Sequence, residues 1–68
     1  MNISQAIESA KLGKAVRREG WAWFGVTMEY RRGGAGVEPF LVMVDANGSR
    51  SVYTPSQDDL FAGDWETL

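Results

Sequence analysis

Between Tyr53 and Trp65 the chain reads Y-T-P-S-Q-D-D-L-F-A-G-D-W. Ser56, Gln57, Asp58, Asp59 and Asp64 bring a hydroxyl, an amide and three carboxylates together there, with an aromatic ring at either end. Such a set can hold a polar ligand through neutral and charged hydrogen bonds. The same residues also make a capped turn. Pro55 cannot donate to a sheet ladder and biases Thr54 toward extended backbone. Ser56 ahead of two acids has the composition of a helix N-terminus. Leu60, Phe61 and Ala62 then supply an apolar turn, Gly63 stops it, and Asp64-Trp65 starts an extended segment. Both readings stand at this level.

Catalysis is not expected. The chain has no histidine and no cysteine, which leaves acid–base work to four Asp and five Glu. Adjacent side chains on a helical turn diverge, so Asp58 and Asp59 need not act together. Asp58, Asp59 and Asp64 lack the spacing of a calcium loop, and neither a metal site nor a cofactor is expected. The aromatics point instead to stacking. Trp21, Trp23, Tyr53 and Trp65 offer flat surfaces that suit nucleobases, with core packing as the alternative, above all for Trp65. Trp21 follows Gly20 and a basic run, which places it at a rim.

Length and charge narrow the class. A single domain of 68 residues is expected, and a chain of this size buries only about 60% of its unfolded surface. Without cysteine or histidine, a partner subunit becomes the favoured support. The net charge of −2 argues against a general DNA or RNA binder. Residues 11–32 nevertheless hold six of the seven bases: Lys11, Lys14, Arg17, Arg18, Arg31 and Arg32. A local basic region in an acidic protein suits a small anion better than a polymer. No signal peptide is visible, and the longest apolar run, Phe40–Val44, is far too short to span a membrane.

The elements follow from periodicity. Ile3, Ala6, Ile7 and Ala10 form a helical stripe over about residues 3–12, with Asn2 or Ser4 able to cap it, Asn2 and Gln5 resembling a capping box, and Gly13 placed to end the helix. Lys14–Arg18 is a short strand or an extended connection. From Trp23 onward Phe24, Val26, Met28 and Tyr30 alternate with Trp23, Gly25, Thr27 and Glu29, as in a half-buried strand. Arg31–Gly36 reads as a mobile hairpin connection rather than a nucleotide loop, since it has no G-K-[ST] and no following helix. Phe40–Val44 is an interior strand, Asp45–Gly48 a turn, Arg50–Thr54 the return arm, and Trp65–Leu68 a last strand. The fold class is α+β: one N-terminal helix packed on a small, mostly antiparallel sheet of four or five strands. One helix covers only one sheet face, whereas Phe40–Val44 and the Trp23/Trp65 pair ask for cover on the other. A homo-oligomer packed through the sheet is therefore expected.

Two motifs carry a resemblance. The helix running into K-A-V-R-R-E-G-W (residues 14–21), joined to P-S-Q-D-D-L-F-A-G-D-W (residues 55–65), resembles the second-type Thoeris anti-defence family of phages and prophages. Tyr53 stands where members commonly carry tryptophan, and the central segment is shorter than in many of them. The resemblance implies a homotetrameric sponge in the cytoplasm of an infected bacterium. It would bind, without cleaving, a cyclic ADP-ribose isomer made by TIR-domain enzymes, with cyclic dinucleotides as further ligands. On that reading Trp21 stacks on the base beside Trp23 and Tyr53, and Arg18 pairs with the diphosphate. Ser56 and Gln57 add neutral hydrogen bonds, and Asp59 or Asp64 accepts from ribose hydroxyls. The rivals are a sponge for cyclic di- or oligonucleotides of another defence system and a small protein–protein interaction module.

Overall fold

The computed structural model describes residues 1–21 and 25–68. In chain order the elements are α1 (Ile3–Lys11), β1 (Val16–Arg18), β2 (Thr27–Arg31), β3 (Phe40–Val44), β4 (Arg50–Val52), α2 (Gln57–Phe61) and β5 (Trp65–Thr67). The strands form one five-stranded sheet in the order β4-β3-β2-β1-β5, antiparallel at every pairing. This is the α+β architecture expected from the sequence, with a second, short helix added.

Local chemistry sets the ends of α1. The Asn2 side chain accepts from the Gln5 N–H and the Gln5 side chain accepts from the Asn2 N–H, both at 2.9 Å, completing the capping box. At the other end the Gly13 N–H donates to Ala10 O (2.9 Å) and the Lys14 N–H to Ser9 O (3.4 Å). Those two bonds make a Schellman motif, which requires the left-handed backbone that Gly13 adopts at φ 87°. Ile3, Ala6 and Ala10 face inward and are buried.

Strand register sorts the sheet residues onto two faces, because directly opposed residues share a face. Val16 opposes Met28, which opposes Met43; Tyr30 opposes Leu41; and Arg18 opposes Trp65. This face lies under α1 and carries the core of Val16, Met28, Tyr53 and Trp65 with the buried stripe of the helix. The outer face carries Phe40, Val42, Val44 and Val52 among the ion pairs Arg17–Glu66 (2.7 Å) and Arg31–Glu29 (2.9 Å). Trp65, expected to need cover on the outer face, belongs to the α1 side and is 2% exposed.

Element limits depart from the periodic pattern where backbone intervenes. The start of the expected second strand, including Trp23 and Phe24, lies outside the described residues. Gly25 at φ 79° precedes β2, which starts at Thr27. The return arm stops at Val52, although the Tyr53 N–H still donates to Leu41 O (2.9 Å). Asp45 organises the intervening turn, its Oδ1 accepting from the Asn47 and Ser49 N–H groups, each at 2.9 Å. The segment after Pro55 closes a helical turn through Leu60 N–H to Ser56 O (2.9 Å).

Met28 is fully buried where the sheet meets α1. Met28→Ala should cost about 2–5 kcal/mol, a large part of the roughly 3–10 kcal/mol expected for a domain of this length. Val52→Ala, on the exposed edge strand, should stay within about 0.5 kcal/mol of wild type. Urea unfolding midpoints compare the two.

Candidate functional site

The polar segment identified in the sequence folds inward around one carboxylate. Ser56 caps α2, its Oγ accepting from the Asp59 N–H (3.2 Å). A side chain three residues after such a cap commonly returns to the cap N–H. Here the Asp59 carboxylate turns into the protein instead. Its Oδ1 accepts from Arg18 Nη1 (2.8 Å) and from Trp21 Nε1 (3.1 Å), and its Oδ2 accepts from the Tyr53 hydroxyl. The Asp59 backbone carbonyl accepts from Trp65 Nε1 at 3.0 Å. Asp59 is 8% exposed, and among the described residues no buried side-chain nitrogen or oxygen lacks a partner.

Arg18 joins this hub to the C-terminal strand. Its Nε donates to Asp64 Oδ1 (2.8 Å), while the Gly20 N–H donates to Asp64 Oδ2 (2.7 Å). The corner from β1 into Trp21 is thus clamped to Asp64, and Trp21 packs edge-on to Trp65 and Tyr53 at centroid distances of 5.2 and 6.0 Å. A Cβ on Gly20 would lie 2.7 Å from Asp64 Oδ2, so a side chain there would displace the carboxylate from its bond with the Gly20 N–H.

The electrostatics follow from these bonds. Burial alone would push the Asp59 carboxyl up, but the Tyr53 hydroxyl, the Arg18 guanidinium and the Trp21 N–H outweigh it and hold the group at about 2. The Asp64 carboxyl is lowered, first by its bond from Arg18. Burial, then the bond to Asp59, pushes Tyr53 above the usual phenol range. The bonds to Asp64 and Asp59 raise Arg18 further. One guanidinium therefore meets two carboxylates, and the hub carries a net negative charge.

Of the residues singled out in the sequence, Arg18, Trp21, Tyr53, Asp59 and Asp64 meet in this hub, and Ser56 orients it. Their polar groups are spent largely on one another. Trp21, placed at a rim by the sequence, is half-buried with its N–H on Asp59. Gln57 lies outside the hub, in an adjoining groove of about 500 Å³ lined also by Arg18, Gly20, Asp58, Phe61 and Ala62. Trp23 lies outside the described residues. Sequence reasoning missed the steric demand on Gly20 and the groove itself. A glycine between a basic strand end and a tryptophan was the available signal for the first, and an unpatterned Phe61 after two acids for the second. Among the described residues no group of three or more His, Cys, Asp or Glu is placed to hold a metal ion.

Asp59→Asn should destabilise the fold by about 1–3 kcal/mol, since an amide cannot accept all three of the bonds that the carboxylate takes while Arg18 keeps Asp64, whereas Asp58→Asn should change stability by less than about 0.5 kcal/mol. Asp59 is a stronger acid folded than at its ordinary value of 3.8. Its contribution is therefore present above pH 3.8 and lost as the pH falls toward about 2, a drop of about 2 kcal/mol. Denaturant titrations across that window should show the decline in wild type and a flatter profile in Asp59→Asn.

A family model of the Thoeris anti-defense 2-like (Tad2-like) domain matches residues 1–68, the whole chain. No curated protein matches the sequence. The two motifs that carried the resemblance, R-R-E-G-W and P-S-Q-D-D-L-F-A-G-D-W, are the strands of sequence that meet in the Asp59 hub. From end to end, this chain belongs to the Thoeris anti-defense 2-like domain family.

Proposed function

We propose that this protein is a non-enzymatic Thoeris anti-defence factor that binds a cyclic ADP-ribose-type nucleotide made by bacterial TIR-domain enzymes and withholds it from the Thoeris effector. The observation that carries this reading is the family match over the whole chain, which supports a Thoeris anti-defence role. The site chemistry supports holding rather than turnover. Asp59 stays ionised, and Tyr53 and Arg18 stay protonated, on both sides of neutral pH. None of the three is poised to exchange a proton during a reaction at pH 7.

The protein acts in the cytoplasm of the infected host and as a homo-oligomer, the tetramer that the resemblance implies. Exposed Val52, with half-buried Phe40 and Val44 on the same outer sheet face, supports self-association there. No helix among the described residues is long and apolar enough to cross a membrane.

Arg18→Ala is a poor probe of this site, because it would strand two carboxylates along with any ligand contact. Calorimetry of the wild-type protein against cyclic ADP-ribose isomers and cyclic dinucleotides is the cleaner test, with native mass spectrometry reporting copy number. One cyclic ADP-ribose isomer should bind a four-copy assembly and be recovered unchanged on heating. Binding only of cyclic dinucleotides, conversion of the nucleotide to a product, or no binding at all would each overturn the proposal, the last in favour of a protein–protein module.

A further inference from the structure

The hub uses up most of the groups that the sequence offered for ligand contact, and it leaves Gln57 with residues the sequence did not single out for contact facing solvent. Trp21 has its indole N–H on Asp59 and its ring against Trp65 and Tyr53. Phe61, by contrast, is 84% exposed on the outer side of α2 and forms one wall of the groove next to the hub. Exposing a phenylalanine to that degree forgoes the burial that normally stabilises one. Gly20, Arg18 and the exposed side chains of Gln57 and Asp58 line the same groove. The groove is an open surface depression of about 500 Å³.

Charge decides which part of a nucleotide fits there. Arg18 is already bonded to Asp59 and Asp64. Asp58 has no ion pair or side-chain hydrogen bond among the described residues, so it adds an uncompensated negative charge to the groove wall. A phosphate entering this groove would meet two carboxylates that compete for one guanidinium, and a third carboxylate with no cation. A neutral group rich in donors meets none of that opposition. Ribose hydroxyls can donate to a free carboxylate, an amide such as Gln57 can read a base edge, and an aromatic ring can stack on the base.

We propose that this groove is a nucleoside subsite, in which Phe61 stacks on the base and Asp58 accepts from the ribose hydroxyls while the phosphates remain outside. The assignment rests on the nucleotide-binding reading above and specifies which portion of the ligand the groove takes. It moves base stacking from Trp21 to Phe61 and ribose recognition from Asp59 and Asp64 to Asp58. The hub residues become positioning residues: they hold α2 and the Gly20 corner at the separation that makes the groove.

Adenosine tests the groove without phosphates. In amide-resolved NMR of the wild-type protein, adenosine titrated to about 5 mM should shift resonances of Gln57, Asp58, Phe61 and Gly20, and inorganic pyrophosphate should not. Phe61→Ala should weaken adenosine about tenfold or more, and Phe61→Tyr should restore binding. Asp58→Asn should erase a preference of about tenfold for adenosine over 2′,3′-dideoxyadenosine. Both side chains are exposed, so unchanged melting temperatures would tie these effects to binding. If adenosine leaves the groove resonances unmoved, or if pyrophosphate moves them instead, the subsite is refuted. A cyclic ADP-ribose isomer that binds while shifting other residues also refutes it and leaves the sequestration reading intact. Adenosine binding in the groove with no binding of any cyclic ADP-ribose isomer supports the subsite and overturns that reading.

Discussion

The Asp59 carboxylate is the point on which the structure turns. It is buried, ionised and shared by the end of β1, the corner after it and the residue after β4, while its own carbonyl holds the indole of Trp65 on β5. A chain of this length, lacking disulfides, has few ways to fix the relative positions of short elements. β1, β4 and β5 have three residues each and α2 has five. None is long enough to hold its place by ladder bonds or helix propensity alone. A buried charge with directional partners does this, because every misplacement leaves a donor or an acceptor unpaired. A buried ion pair is weak evidence for net stability, but here its geometry specifies which segments meet.

That solution shapes what the site can do. Groups that hold a hub together are unavailable to a ligand without being taken from one another. Such groups serve the fold first. Arg18, Trp21, Tyr53, Asp59 and Asp64 set the shape, and the outward-facing side chains of the first turn and the end of α2 line a groove beside it. The same bonds fix the charge state of the hub. Its most perturbed groups are displaced away from neutral pH rather than toward it, the reverse of what general acid–base chemistry needs.

The outer face of the sheet presents a second, independent feature. Its apolar residues are interleaved with Glu29, Arg31, Arg17 and Glu66 in ion pairs. Exposed pairs of this kind contribute little to stability, of order 0–1 kcal/mol each. They keep this face hydrated beside Val52, which is exposed, while Val42, its partner in register, is buried. The two faces thus have different chemistry: a dry layer under α1 and a mixed apolar and charged surface opposite it.

Much of this was legible before any coordinates. Ile3, Ala6 and Ala10 recur at helical spacing, Asn2 and Gln5 make a local cap, Gly13 ends the helix, and Val26, Met28 and Tyr30 alternate. Each of these rests on contacts within a few residues or on a period set by backbone geometry. The pairing of the two motifs, and with it the family, was equally open to reading. What the sequence could not decide was where long-range partners would fall. Asp58 and Asp59 are neighbours of the same type, and only the docking of α2 against β1 and β5 buries one and exposes the other. Arg18 reads as a free cation until Asp59 and Asp64, 41 and 46 residues away, are folded onto it. Gly20 reads as a flexible turn until Asp64 occupies the space of its missing side chain. Local backbone preferences are written residue by residue, but which polar side chains are buried in the scaffold and which face solvent depends on distances that exist only once the sheet has closed.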